Sequence, residues 1–200
     1  MMIAGQTSEI FTDSHSRLIE AGIRSALVSF GQLLPQGSLM LKSQDFISSS
    51  AAAHACLQQL RCDGVEIALS LSGRISGTFI LALDNQAAQQ LIVALTGDGA
   101  ATPGFNEMAR SALKEVGNIV ASAFLGALES LCGCGGLPGV PDLHLGGPCH
   151  LVATGPVEKI SLMYALPLFL IAPAGGEDVA RGGVFINLHS DDSAWAAPGS

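Results

Sequence analysis

Apolar and polar positions recur along the chain in two periods, and each period occurs twice. Residues 16–34, SRLIEAGIRSALVSFGQLL, and 111–129, SALKEVGNIVASAFLGALE, lack proline and space their apolar side chains as a helix does. Strand-length apolar runs follow each of them. Residues 65–71 and 75–83 flank the turn signal Ser72-Gly73, and residues 166–172 and 183–188 flank Gly175-Gly-Glu-Asp178. Each pair predicts a hairpin. Asp84 is placed to cap a short helix running to Leu95, because an aspartate oxygen can accept from the free N–H groups of a first turn. Residues 97–104 read as a joint, residues 43–60 and 130–151 as longer irregular loops, and the tail from Ser190 as mobile.

The two helical segments are also alike in letters. At a constant offset of 95, seven of 19 positions agree: Ser16/Ser111, Leu18/Leu113, Glu20/Glu115, Gly22/Gly117, Ala26/Ala121, Gly31/Gly126 and Leu33/Leu128. Each helix is followed by a hairpin pattern. The expectation is one domain over residues 1–200, built from two pseudo-symmetric halves at about 12–97 and 105–190. Helices and hairpins segregated in this way predict an α+β fold with long helices packed on a largely antiparallel sheet. The four glycines inside the helices suggest a close helix crossing near the pseudo-twofold axis, since each otherwise costs about 1 kcal/mol relative to alanine.

The second helix separates its faces cleanly. With Ser111 at zero and about 100° per residue, Glu115, Asn118 and Ser122 fall within about 40° of it. Leu113, Val116, Val120, Phe124 and Ala127 cluster on the far side, at about 140–220°. A solvated helix face normally mixes charges of both signs. Here a serine, a carboxylate and a carboxamide stand in a row instead. Spacing alone is also compatible with an ordinary surface.

Composition narrows the function classes. The chain has 200 residues, enough for a sizeable core, and is 48% hydrophobic but only 13% charged. A formal charge of −8 with three lysines, Lys42, Lys114 and Lys159, argues against nucleic acid as a partner. The longest oily run, residues 161–172, is short of the roughly 20 residues a bilayer needs, and Pro167 interrupts it. The N-terminal residues carry no signal-peptide pattern, so a cytoplasmic address is expected. Five cysteines do not suggest a disulfide framework. Cys132, Cys134, His144, Cys149 and His150 could invite zinc, but Cys-x-Cys is tighter than the usual ligand spacing, and no metal site is expected. No phosphate-binding loop of the GxxxxGK[ST] kind, GxSxG elbow or HExxH helix occurs.

The spacing Ser111-x3-Glu115-x2-Asn118-x22-Pro141, with the surrounding LKEVGNI, resembles the signature of the CheC/CheX/FliY family of chemotaxis phosphatases. The duplicated helix–hairpin plan resembles that family's architecture. The resemblance implies a CheC-like protein phosphatase that hydrolyses the phospho-aspartate of a CheY-like receiver in two-component chemotaxis signalling. It implies that Glu115 and Asn118 are the working residues, that Ser111 and Ser122 help docking, and that Pro141 shapes a neighbouring loop. No cofactor of its own is implied; the phosphorylated receiver would bring the Mg²⁺. The rival reading is a receiver-binding or flagellar-switch-like scaffold without turnover.

In the first half the same alignment gives Ser16-x3-Glu20-x2-Ile23, a degenerate site in which a hydrocarbon replaces the carboxamide, with no proline at the expected distance. One active site is therefore expected. Ile19, Ile23, Leu27, Phe30 and Leu34 make the first helix's stripe apolar. Covering it would fall to residues 43–60 or to a second subunit in a homodimer, and a slip in the register of the repeat alignment is the alternative.

Overall fold

The protein is described here by a computed structural model, which covers residues 13–35, 40–60, 64–97, 105–146, 161–171 and 180–189. Its elements are α1 (Asp13–Leu33), β1 (Met40–Ser43), α2 (Ser50–Leu60), β2 (Val65–Gly73), β3 (Ser76–Leu83), α3 (Asn85–Thr96), α4 (Glu107–Cys132), β4 (Gly136–Pro138), β5 (Asp142–Leu145), β6 (Ser161–Ile171) and β7 (Ala180–His189). The strands form one antiparallel sheet in the order β1-β6-β7-β3-β2-β4, with β5 also pairing β2. That order reads the same from either end when β1 is exchanged with β4 and β5, β6 with β2, and β7 with β3.

Period-two burial separates the two sheet faces. Ile67, Leu69, Phe79, Leu81, Leu166, Leu168, Val184 and Ile186 point to one side and join α1, α3 and α4 in the main core. Ala68, Ile80, Ala82, Met163, Ala165 and Phe185 point to the other, where Ala53 and Leu57 of α2 cover them. The α+β architecture, with long helices on a largely antiparallel sheet, is as expected. Both hairpins form where the apolar runs placed them. Asp84 caps α3, its Oδ1 accepting from Ala87 N at 2.6 Å. Asn106 does the same for α4 through Ala109 N at 2.8 Å.

The expected loops are more regular than their sequences suggest. Residues 40–43 are a strand and 50–60 a helix, while 136–138 and 142–145 pair with β2. These strands are too short for a period to stand out, and α2, SAAAHACLQQL, has too few large apolar residues for a distinct stripe. Most of the joint at 97–104 and the tail from Ser190 lie outside the described residues.

The stripe on α1 needs no second subunit. Ile19, Ile23, Leu27, Phe30 and Leu34 are buried in the main core, with Leu41 and Phe46 packed at its edge. Burial also corrects the repeat register. Of the nine buried positions of α4, seven meet a buried residue of the α1 segment at an offset of 94, Leu113 with Ile19 through Leu128 with Leu34. At 95 only three do. Matching letters at Gly22/Gly117 and Ala26/Ala121 favoured 95, but one residue turns a helix by about 100°, and the face that meets the sheet decides.

The helix glycines divide in the same way. A Cβ on Gly22 would press on Phe124 and Leu128 of α4, which is the expected close crossing. Gly117 instead faces the strand side chain of Ile67, whereas Gly31 and Gly126 face open space.

Candidate functional site

The polar ridge of α4 lies on the side away from the sheet. Leu113, Val116, Gly117, Val120 and Phe124 are buried, which leaves Ser111, Lys114, Glu115 and Ser122 exposed and Asn118 half-buried at the boundary. An open groove of about 480 Å³ runs beside it. One wall is Ser111, Lys114, Glu115 and Asn118; the other is the turn Pro138-Gly139-Val140-Pro141. Pro141, 23 residues beyond Asn118 in sequence, is thus brought against the ridge. Ser122, one turn further along α4, is exposed but does not line the groove.

The turn is rigidly placed. β4 and β5 both pair with β2, and between them Gly139 N donates to Ser70 O at 2.7 Å. A Cβ at Gly139 would run into the Ser70 side chain, so glycine permits this close approach. At the far end of α4, Gly133 ends the helix in the left-handed conformation, and its carbonyl accepts from Arg74 Nη1 at 3.0 Å. The helix carrying the ridge is therefore fixed at both ends.

The first half holds a second groove, of about 610 Å³, lined by Arg24, Ser43, Gln44, Asp45, Ile47 and Pro167. It is the counterpart of the first. Gln44 N donates to Pro167 O at 2.9 Å, just as Gly139 N donates to Ser70 O, which equates Gln44 with Gly139 and Asp45 with Val140. On the helix, the burial register equates Arg24 with Asn118, Ala21 with Glu115 and Glu20 with Lys114. Arg24 is held by Glu20 Oε1, through Nε at 2.9 Å and Nη2 at 2.7 Å, and reaches Ser43 Oγ at 3.4 Å.

The residues assigned to a degenerate first site are accordingly placed elsewhere. Ile23 is fully buried, Glu20 pairs with Arg24, and Ser16 hydrogen-bonds the Tyr164 hydroxyl. They form no surface ridge. The helix position corresponding to Asn118 carries Arg24, and the carboxamide that lines the first groove, Gln44, stands on the turn instead.

Cys132 and Cys134 turn to backbone carbonyls. Cys132 Sγ donates to Leu128 O at 3.1 Å and Cys134 Sγ to Cys132 O at 3.5 Å. Burial, then the Cys132 thiol, pushes the Cys134 thiol pKa upward, against an opposing pull from Arg74. His144 contacts Asp142 at 3.2 Å, while Cys149 and His150 lie outside the described residues. Among the described residues, no group of three or more His, Cys, Asp or Glu is placed to hold a metal. Sequence reasoning missed Lys114 and Val140, although the first is one of only three lysines and the second sits inside a Pro-Gly-Val-Pro turn.

Comparison with known proteins bears on this segment directly. The model of the CheC-like family matches residues 108–145, which contain the α4 ridge and the turn opposite it. Among solved structures, FliY from Thermotoga maritima is similar with a TM-score of 0.61 at 16% identity, over 97% of this chain and 94% of that one. The FliM middle domain from H. pylori gives 0.63 at 14%, over 92% and 98%. A CheX–CheY–BeF3–Mg complex from Borrelia burgdorferi gives 0.55 at 20%, over 87% and 97%. Comparison with curated proteins gives no sequence match. The chain is CheC-like in its α4-to-β5 segment and has the fold shared by CheX, FliY and FliM.

Proposed function

We propose that the protein is a cytoplasmic phosphatase acting on the phospho-aspartate of a CheY-like receiver, with one site formed by Glu115 and Asn118. The observation that carries this reading is the groove itself. A carboxylate and a carboxamide one turn apart stand at its open edge, and the motif proline stands opposite. With it goes the reading of residues 1–200 as one CheC-like domain of two halves.

The chemistry asks little of this chain. Water attacks phosphorus in line with the aspartyl oxygen; the bond to that oxygen breaks, and inorganic phosphate and a carboxylate leave. The receiver supplies Mg²⁺. Asn118 orients the water through a neutral amide, which phosphate does not repel, and holding it in line is worth a large part of the barrier. Glu115 pairs with a cation of the receiver and fixes register. Ser111 lies along the docking edge, and Ser122 extends it. Pro141 shapes the turn.

The FliM-like fold supports a second reading, a receiver-binding scaffold without turnover. Phosphate release from the phosphorylated receiver separates the two. Acceleration by the native protein, falling about 100-fold in Asn118→Ala and also lost in Glu115→Ala, is the phosphatase result. Binding without acceleration is the scaffold result.

A further inference from the structure

The wall facing the ridge carries an unusual side chain. Val140 is 88% exposed, the most exposed of the large hydrophobic residues described. It is not at the end of a loose loop. Pro138 and Pro141 bracket it, Gly139 N bonds Ser70 O, and strands on both sides pair with β2. A rigid backbone thus holds an apolar side chain in water, continuous with the Glu115–Asn118 groove. Leu137, in the adjoining strand, is 72% exposed. Across the groove, Lys114 has no ion-pair or hydrogen-bond partner among the described residues.

The other half acts as an internal control. Where the second groove has Val140, the first has Asp45, a residue that solvent accepts at no cost. Where the second has Lys114, the first has Glu20, already paired with Arg24. Of the two grooves, the one beside the ridge combines an apolar knob with a free ammonium.

We propose that Val140 and Lys114 are the docking contacts of this groove. Val140 enters an apolar depression on the receiver, and Lys114 attracts the anionic face around its phosphoryl group. The inference rests on the receiver being the substrate of the groove. The charge complementarity is local: a dianionic phosphoryl group meets the one cation lining the groove, on a chain of net charge −8. Both residues determine affinity and neither touches the reacting atoms.

The test is binding and turnover with the CheY-like receiver of the same organism, loaded with beryllium trifluoride and Mg²⁺ for binding and phosphorylated for turnover. Val140→Ser is expected to weaken binding and raise KM about tenfold while kcat holds. Lys114→Gln is expected to weaken binding about fivefold at low salt, with the difference shrinking at high salt, while Lys114→Arg binds normally. Asp45→Ala in the other groove is expected to change neither. Variants that bind like the native protein overturn the proposal whatever the turnover, as does a native protein that fails to bind the loaded receiver. Native binding without phosphate release, with the variants still weakened, removes the phosphatase reading and leaves the docking surface standing.

Discussion

The two grooves are built alike and furnished differently. In each, a helix edge faces a short turn pinned by one backbone hydrogen bond, Gly139 to Ser70 in one and Gln44 to Pro167 in the other. The second presents Glu115, Asn118 and Lys114 to solvent. The first closes on itself, with Arg24 clamped by Glu20 and near Ser43. An internal ion pair of this kind adds little stability at a surface, at most about 1 kcal/mol. It does remove both side chains from service to a ligand. A fold can therefore keep the shape of a site while local pairing silences its chemistry.

The sharpest way to break this comparison is to carry the first groove's residue into the second. Asn118→Arg should reduce receiver dephosphorylation to the receiver's own rate, a loss of about 100-fold or more, because a guanidinium cannot replace the amide that orients water. Asn118 is only half-buried, so the denaturant midpoint should hardly move. Retained turnover would remove Asn118 from the mechanism.

A structural test comes next. If the register read from matching letters held, Ile23→Asn would restore the missing carboxamide of a second, surface motif. Burial puts that position in the core, so the variant should lose about 3–5 kcal/mol in urea unfolding and gain no second site. Arg24→Asn, one residue on, should cost no more than about 1 kcal/mol, since its ion pair is exposed. The opposite ranking would restore the offset of 95.

Glycines give a smaller contrast. Gly117→Ala drives a methyl into Ile67 and should cost about 1–3 kcal/mol. Gly31→Ala meets nothing within 4 Å and should be neutral or stabilising by up to about 1 kcal/mol through helix propensity.

The smallest effect is a pH dependence at Tyr164, where β6 meets α1. Burial raises the Tyr164 phenol pKa, and the Ser16 hydrogen bond opposes this more weakly. The unfolded chain therefore loses this proton first, at the usual pH of about 10. Its contribution is complete below that pH and is lost as pH rises through the folded pKa. Tyr164→Phe should flatten the fall in urea midpoint above about pH 10, and an unchanged slope would show that other groups cause it.

Much of the fold was legible because it rests on local repetition. Apolar runs of six to nine residues flanking glycine-marked turns specified both hairpins, and a helical period specified α1 and α4. Asp84 declared its cap by chemistry alone. The site was half legible. Ser111, Glu115, Asn118 and Ser122 had to share an edge once α4 formed, but no local pattern could say that Pro141 would return to face them. Cross-strand pairing of β4 and β5 with β2 does that, over separations of about 65 to 80 residues.

The sequence by itself determined which side chains share a helix edge, since about 100° per residue leaves no choice. Only the tertiary structure decided which edge meets the sheet. Burial energy depends on the neighbour an edge finds and not on the letters it repeats, and on α1 this turned the helix one residue away from the matching letters. That rotation placed Ile23 in the core and put Arg24 on the helix wall of the first groove, where the second groove has Asn118.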